Sequence, residues 1–201
     1  MPRIPQILKV LTIGNPLLLK PAKIVTNIHA PEVQNTLDDM ICTINHIGER
    51  VGLAAPQCGI SQKIMIVRVP DATKGELHPR YINIFGNSKP MPWTAMINPV
   101  ITPLSSEKAL GWESCISVPG VQGKVSRYKK IMCKYLGSDG EEKEILAENF
   151  LARLLQHEEA HLRGVLFPME VEPDQANLRF ESEDALIKLI GTAIEYDYSG
   201  S

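Results

Sequence analysis

The clearest hydrophobic pattern in the chain lies between residues 31 and 50, where apolar residues recur at the spacing of one helical face. Pro31 fits the first turn of such a helix, where its missing N–H has no intrahelical partner to lose. The pattern predicts an amphipathic helix packed on the protein core. The apolar positions are Val33, Leu37, Met40, Ile41, Ile44 and Ile47.

Five shorter segments have the length and composition of β-strands. Residues 64–69 are apolar apart from Arg68, which predicts a buried strand. The tripeptide Ser138-Asp139-Gly140 predicts a hairpin turn, so we expect the two strands that flank it to be antiparallel. The other four strands are expected at residues 95–101, 108–113, 129–136 and 142–146.

Two more helices are expected in the second half of the chain. Residues 147–163 are rich in good helix formers and contain no glycine or proline. Gly164 then provides a suitable C-terminal stop. Residues 182–196 predict the last helix, with Ser182 as its N-cap.

The remaining segments predict no second domain. Residues 1–30 indicate an irregular arm that covers the edge of the core, and residues 71–92 indicate a long surface loop. A chain of 201 residues that is 44% hydrophobic can bury one substantial core. We therefore expect a single domain, residues 1–201, with antiparallel strands.

The charge balance argues against a polyanionic partner, because 21 Lys and Arg against 23 Asp and Glu give a net charge of −2. We expect no direct binding of nucleic acid.

Pro5, Gly14 and Pro16 interrupt the apolar N-terminal segments, so neither a membrane span nor a transit peptide is predicted and a cytoplasmic protein is expected. The four cysteines are too sparse for a disulfide scaffold and are predicted to be reduced thiols.

The sequence QHEEAH, residues 156–161, places two histidines four residues apart and a glutamate directly after the first. On a helix, four residues turn by about 400°, so His157 and His161 face the same side and can bind one metal ion. Glu158 lies close to that face, which suits a general base acting on water. The spacing predicts a metal-dependent hydrolase.

A catalytic site of this kind normally has three protein ligands and one open position. The extended pattern HExxHxxGxxH fails here, since Gly164 matches its glycine but Phe167 stands where the third histidine belongs. A downstream carboxylate, Glu181 or Glu183, would complete the site of a metallopeptidase. Cys115 is the better candidate, because it follows a predicted strand in a compact turn that an antiparallel sheet can bring to the helix.

Three segments, taken in order, resemble the peptide deformylase family. That family carries GxGLAAxQ, EGCLS and QHExDH, and this chain has RVGLAAPQ at residues 50–57, ESCIS at 113–117 and QHEEAH at 156–161. The resemblance implies an α+β fold in which antiparallel sheets surround the helix with the two histidines and the C-terminal helix packs outside. Three ordered motifs are far more specific than one.

The resemblance also implies the metal and the reaction. One divalent ion would be held by Cys115, His157 and His161, with ferrous iron expected in the cell and nickel, cobalt or zinc accepted. The substrate would be the N-formylmethionyl end of newly made polypeptides, met at the ribosome, and the products would be formate and a free N-terminus. The number of subunits does not follow from the sequence.

Catalytic roles follow from the same resemblance. Glu158 would take a proton from the attacking water and deliver it to the departing amine. The side-chain amide of Gln57 and the backbone N–H of Ile116 would stabilise the developing oxyanion.

The resemblance also implies contacts with the substrate. Val51 and Gly52 would pair with the extended peptide, and an apolar pocket for methionine would use Val51, Phe150 and Leu154. The last two share a helical face with His157. Arg127 matches a family position near the distal side of the peptide; its alternative is a solvated charge.

Three residues depart from the family motifs. Arg50 and Ser114 replace glycines, and Ala160 replaces an aspartate of the metal helix. None removes a predicted ligand or the base, so an active enzyme is expected. Two alternatives remain open: the metallopeptidase described above, and a degenerate homologue that binds peptide ends without turnover.

Overall fold

The structure, a computed structural model, describes residues 3–48, 50–71, 89–172, 177–182 and 185. Within this part of the chain, two α-helices and eight β-strands follow one another. The helices are α1 (Pro31–Ile47) and α2 (Asn149–Leu162). The strands are β1 (Gly52–Ala54), β2 (Ile64–Val69), β3 (Met91–Pro103), β4 (Lys108–Cys115), β5 (Val118–Tyr128), β6 (Lys130–Leu136), β7 (Glu142–Glu148) and β8 (Leu178–Phe180).

The strands form two sheets, and every pairing between them is antiparallel, as the sequence predicts. The larger sheet has the order β1-β2-β3-β6-β7, and the smaller one has the order β4-β5-β8. Strand β1 therefore lies at an edge of the larger sheet, where it pairs with β2 alone among the described strands.

The larger sheet is covered by one helix on each face. Alternate residues of β1 and β2 point to opposite sides, so Leu53 and Ile64 join the apolar cluster of α1, while Ala54 and Met65 join that of α2. The predicted amphipathic helix at 31–50 is confirmed but ends at Ile47. Helix α2 also contacts β5 of the smaller sheet, so it lies between the two sheets.

One long strand is missing from the sequence prediction. The polar turn expected after residue 113 is only two residues long, and β5 follows it at once. Pro119, Gly120 and Gly123 obscure the strand signal, and the inward positions of its second half include a charged side chain, Arg127. The strands expected at 95–101, 108–113 and 142–146 are also longer than predicted.

Helix α2 begins two residues later than expected, because Ala147 and Glu148 still pair with β6. Asn149 marks the change of direction with a positive φ of 52°, a conformation that asparagine tolerates better than most residues. The predicted stop at Gly164 is confirmed by its φ of 77°. A β-carbon at that position would also collide with the backbone of Leu19 in the N-terminal arm.

The arm itself is irregular, as expected, apart from the short 3-10 helix Pro16–Leu19. Most of the loop predicted at 71–92 and of the helix predicted at 182–196 lies outside the described residues. At the start of that helix, the Ala185 N–H donates to the Ser182 hydroxyl at 3.3 Å, which fits the predicted N-cap. None of the helices in the described ranges is long and apolar enough to cross a membrane.

Candidate metal centre and active site

Cys115, His157 and His161 come together where the end of β4 meets α2. One potential ligand atom from each residue lies within 4.8 Å of the other two. The Cys115 Sγ is 3.2 Å from the Nε2 of His161. The two imidazole rings meet edge to face with centroids 5.1 Å apart, as expected for residues one helical turn apart.

The chemistry of these three donors fits a divalent transition metal. Burial acts to raise the pKa of the Cys115 thiol, but the adjacent imidazoles of His161 and His157 outweigh it and hold that pKa well below its usual range. The residue is therefore poised as a thiolate, the form that binds metal. One thiolate and two imidazoles leave one position of a tetrahedron open, as catalytic sites require.

Glu113 fixes the orientation of His157. The Nδ1 of His157 lies 2.9 Å from the Glu113 carboxylate, which leaves Nε2 to face the cluster. Burial would raise the pKa of Glu113, but hydrogen bonds from His157 and Arg127 lower it to about 2. The sequence pattern gave Glu113 no role beyond its place in the motif, because its partners are far away in the chain.

Arg127 is one of those partners, and its position corrects the expectation that it could be a solvated charge. Its side chain is only 6% exposed, so it is not a solvated charge. Its Nε and Nη2 donate to the two Glu113 oxygens, each at 3.0 Å, and its Nη1 lies 2.7 Å from Glu170. The guanidinium is thus engaged by two carboxylates, and contact with the distal peptide stays a prediction.

Arg153, which the sequence pattern did not single out, joins the helix to the smaller sheet. It donates to Glu113 at 2.7 Å and to the Val125 carbonyl at 2.8 Å. Its second terminal nitrogen donates to the Ala109 carbonyl. A β-carbon at Gly111 would meet this guanidinium at 2.9 Å, so the glycine makes the approach possible. These groups meet only because the smaller sheet packs against α2 in the folded protein.

The Gln57 side chain is held at both ends beside Cys115. The Ala54 N–H donates to its Oε1 at 2.8 Å, which assigns its Nε2 as the donor towards the cluster. That nitrogen lies 3.3 Å from the Cys115 Sγ and 3.1 Å from the Ser117 Oγ. Ile116 lies in the turn between these two residues. The two residues that are predicted to supply the oxyanion donors are therefore neighbours in the fold.

Glu158 lies against β1 with only 4% of its surface exposed. Burial raises the pKa of its carboxyl group to about 7, although His157 and His161 act to lower it. Its Oε2 is buried and accepts no hydrogen bond from the described residues. A carboxylate kept without a full set of partners is available to exchange a proton.

The three residues expected to form the methionine pocket belong to one apolar cluster. Leu154 is buried in it, while Val51 and Phe150 are partly buried and pack against it. The structure therefore brings the predicted pocket residues together, next to the edge strand β1. Their contact with a methionine side chain stays a prediction.

The residues that depart from the family motifs replace none of the groups described above. Arg50 and Ser114 are exposed, and Ala160 is buried in α2. Of the two carboxylates of the metallopeptidase alternative, Glu181 is exposed and is not part of the cluster, and Glu183 lies outside the described residues. Among the described residues, Cys115 is the third donor.

A model of the polypeptide deformylase family matches residues 7–177. The chain belongs to this family. Its hydrolytic activity is therefore the removal of the N-formyl group from polypeptides. Peptide deformylase 1 of Nitrosomonas europaea is 38% identical over 162 residues, covering 81% of this chain and 86% of that protein.

Other deformylases support the same assignment. Peptide deformylase 1 of Bordetella pertussis is 41% identical over 164 residues, covering 81% of this chain and 86% of that protein. A class I type b deformylase of Acinetobacter baumannii, solved with Met-Ala-Ser bound, has a TM-score of 0.73 at 34% identity. The match covers 84% of this deformylase and 100% of that chain.

Proposed function

We propose that Cys115, His157 and His161 bind one divalent metal ion, and that the site around them hydrolyses the formyl amide of N-formylmethionyl peptides. The observation that carries this proposal is the cluster itself: three metal donors within 4.8 Å of one another, with the carboxylate of Glu158 buried beside them. The products are formate and a peptide with a free N-terminal amine.

The metal supplies Lewis acidity, which lowers the pKa of water and polarises a carbonyl oxygen. Ferrous iron is proposed as the ion used in the cell, with nickel, cobalt or zinc able to replace it. A ferrous centre beside a thiolate is oxidisable. An iron-loaded sample should therefore lose activity in air, whereas a nickel-loaded sample keeps it; equal half-lives with and without oxygen would argue against iron.

Glu158 acts as the proton carrier. Its carboxylate takes the proton released by the attacking water and passes it to the nitrogen of the breaking amide. Burial disfavours the ionised form of this carboxyl group, so it can accept the proton and hold it between the two steps. The same residue thus serves as base and then as acid.

Gln57 and Ile116 stabilise the negative charge that develops on the formyl oxygen. The Gln57 amide is already oriented, since the Ala54 N–H donates to its Oε1. Donors that are oriented before the charge appears need no reorganisation during the reaction. The backbone N–H of Ile116 is the second donor in this proposal.

The peptide lies along the edge of β1, where the backbone of Val51 and Gly52 pairs with it. The methionine side chain enters the apolar surface of Val51, Phe150 and Leu154. The Acinetobacter relative with bound Met-Ala-Ser supports a peptide that begins with methionine. The substrates in this proposal are nascent chains at the ribosome, and the reaction takes place in the cytoplasm.

The deciding experiment measures formate release from formyl-Met-Ala-Ser by protein purified without oxygen, with Glu158→Ala measured in parallel. We expect release by the metal-loaded protein and none above background from Glu158→Ala with the same metal content. Peptide binding without formate release by the folded, metal-loaded protein would support the alternative of a degenerate binding homologue.

A further inference from the structure

The N-terminal arm crosses the molecule before it reaches the active site. Arg3 forms a two-pronged ion pair with Asp39 of α1, and the Leu8 N–H donates to the hydroxyl of Thr43 on the same helix at 2.8 Å. Further along, the Ala22 N–H donates to the carbonyl of Leu162, the last residue of α2. The arm is therefore fastened to both helices.

Between these anchors, the arm bonds to both segments that carry the oxyanion donors. The Leu11 N–H donates to the backbone carbonyl of Gln57 at 2.7 Å. Two residues later, the Ile13 N–H donates to the backbone carbonyl of Ser117, also at 2.7 Å. Ser117 directly follows Ile116, so each donor segment is held by one backbone bond from the arm.

These two segments come from different parts of the fold. Gln57 lies in the short 3-10 helix Ala55–Cys58, next to the larger sheet, whereas Ile116 and Ser117 form the turn between β4 and β5 of the smaller sheet. The Gln57 side chain reaches Ser117, and the arm provides a second link that does not involve the reacting groups.

We propose that Leu11 and Ile13 are positioning residues whose backbone N–H groups hold the Gln57 amide and the Ile116 N–H at the separation that the formyl oxygen requires. This inference rests on the proposed roles of Gln57 and Ile116. The arm acts through those two donors and does not touch the substrate. Small displacements of positioned groups reduce turnover strongly, so losing one of these bonds should lower kcat.

The turn at residues 12–15 allows the bond from Ile13 to be removed selectively. The Asn15 N–H donates to the Thr12 carbonyl at 3.1 Å, and Gly14, the third residue of the turn, has a φ of 100°. Ile13 has no positive φ, so this is a type II turn. Proline is favoured at the second position of that turn, which Ile13 occupies. Ile13→Pro therefore keeps the turn, removes the N–H and places a ring carbon against the Ser117 carbonyl in its stead.

The test compares Ile13→Pro with Ile13→Ala in the full-length, metal-loaded protein. Both variants lose the isoleucine side chain, which packs on an apolar cluster of the core, but only the proline variant loses the hydrogen bond to Ser117. We expect kcat for formyl-Met-Ala-Ser to be roughly tenfold lower in Ile13→Pro than in Ile13→Ala. KM and bound metal should be equal in the two variants.

Leu11→Pro and Leu11→Ala repeat the comparison for the bond to Gln57. Equal kcat in the proline and alanine variants at both positions would overturn the positioning role. A loss of bound metal or folding in Ile13→Pro that accounts for its whole loss of activity would also overturn it, since the arm would then act on the fold alone. Absence of formate release by the unmodified protein would refute the proposed function instead.

Discussion

A β-carbon on Gly52 would overlap the Oε1 of Glu158. The carboxylate of the metal helix thus fills the space that a side chain on β1 would otherwise occupy. Gly52 has no positive φ, so its backbone conformation does not require a glycine. The close approach of the Glu158 side chain requires it instead. The edge strand β1 and the Glu158 side chain are closely packed at this point.

Replacing Gly52 with alanine should therefore reduce catalysis by displacing the Glu158 carboxylate. General acid–base catalysis contributes about 10²–10⁴-fold to such reactions, so we expect kcat to fall by roughly a hundredfold. Gly48→Ala is the matched control. No atom lies within 4 Å of its added β-carbon, but the positive φ at this position makes alanine unfavourable. This variant should therefore lower the stability of the protein and leave kcat unchanged. Unaltered kcat in Gly52→Ala would show that Glu158 can move aside without loss.

The raised pKa of Glu158 predicts how stability depends on pH in the metal-free protein. Because burial raises this pKa to about 7, the folded chain keeps a proton that the unfolded chain has already released at lower pH. The contribution of Glu158 to stability should fall as the pH rises from about 4.5 to about 7, since the folded state must then hold a buried charge.

Glu158→Gln provides the reference for that prediction, because glutamine does not titrate. Its free energy of unfolding, relative to the unmodified protein, should increase by up to about 3 kcal/mol between about pH 5 and about pH 8. Denaturant unfolding of both metal-free proteins at the two pH values measures the difference. A difference that is independent of pH would mean that the carboxyl group keeps an ordinary pKa.

Replacing Cys115 with serine should weaken metal binding, because a thiolate ligand is lost. We expect metal affinity to fall by at least tenfold, measured by competition with a chelator, and the preference among metals to change. Cys42→Ser is the matched control, as Cys42 is a free cysteine that is not part of the cluster. Full metal affinity in Cys115→Ser would favour the metallopeptidase alternative.

Arg127→Met separates a structural role from a peptide-binding role. This substitution leaves the buried negative charge of Glu113 without one of its cationic partners, so we expect the free energy of unfolding to fall by roughly 3 kcal/mol. Because Glu113 also orients His157, metal affinity should fall by tenfold or more. KM should not change in the fraction that holds metal. Lys129→Met is the control, since it removes only an exposed ion pair with Glu107. A selective rise in KM would instead support contact with the peptide.

The sequence predicts the parts of this protein that depend on local patterns. Helix α1, the hairpin of β6 and β7, and the spacing of His157 and His161 are each contained in a short segment. Family membership could also be predicted, because three motifs keep their order along the chain. These features do not require knowledge of which distant segments meet.

The network around Glu113 could not be predicted in the same way. Arg153 and Glu113 are 40 residues apart, and their contact depends on the packing of α2 against the smaller sheet. The burial of Arg127 could not be predicted for the same reason. A charged residue at an inward position contradicts the hydrophobic pattern unless its carboxylate partners are known. The arm's bonds to Gln57 and Ser117 are formed by backbone atoms, which leave no trace in the sequence.

Strand β1 ends the larger sheet, with its outer side unpaired among the described strands. In the proposed function, a peptide held there is recognised through main-chain atoms, which all residues except proline share. Only the first side chain then has a pocket of its own. A site of this design places few demands on the side chains that follow the methionine, so chains of unrelated sequence present the same starting point to it.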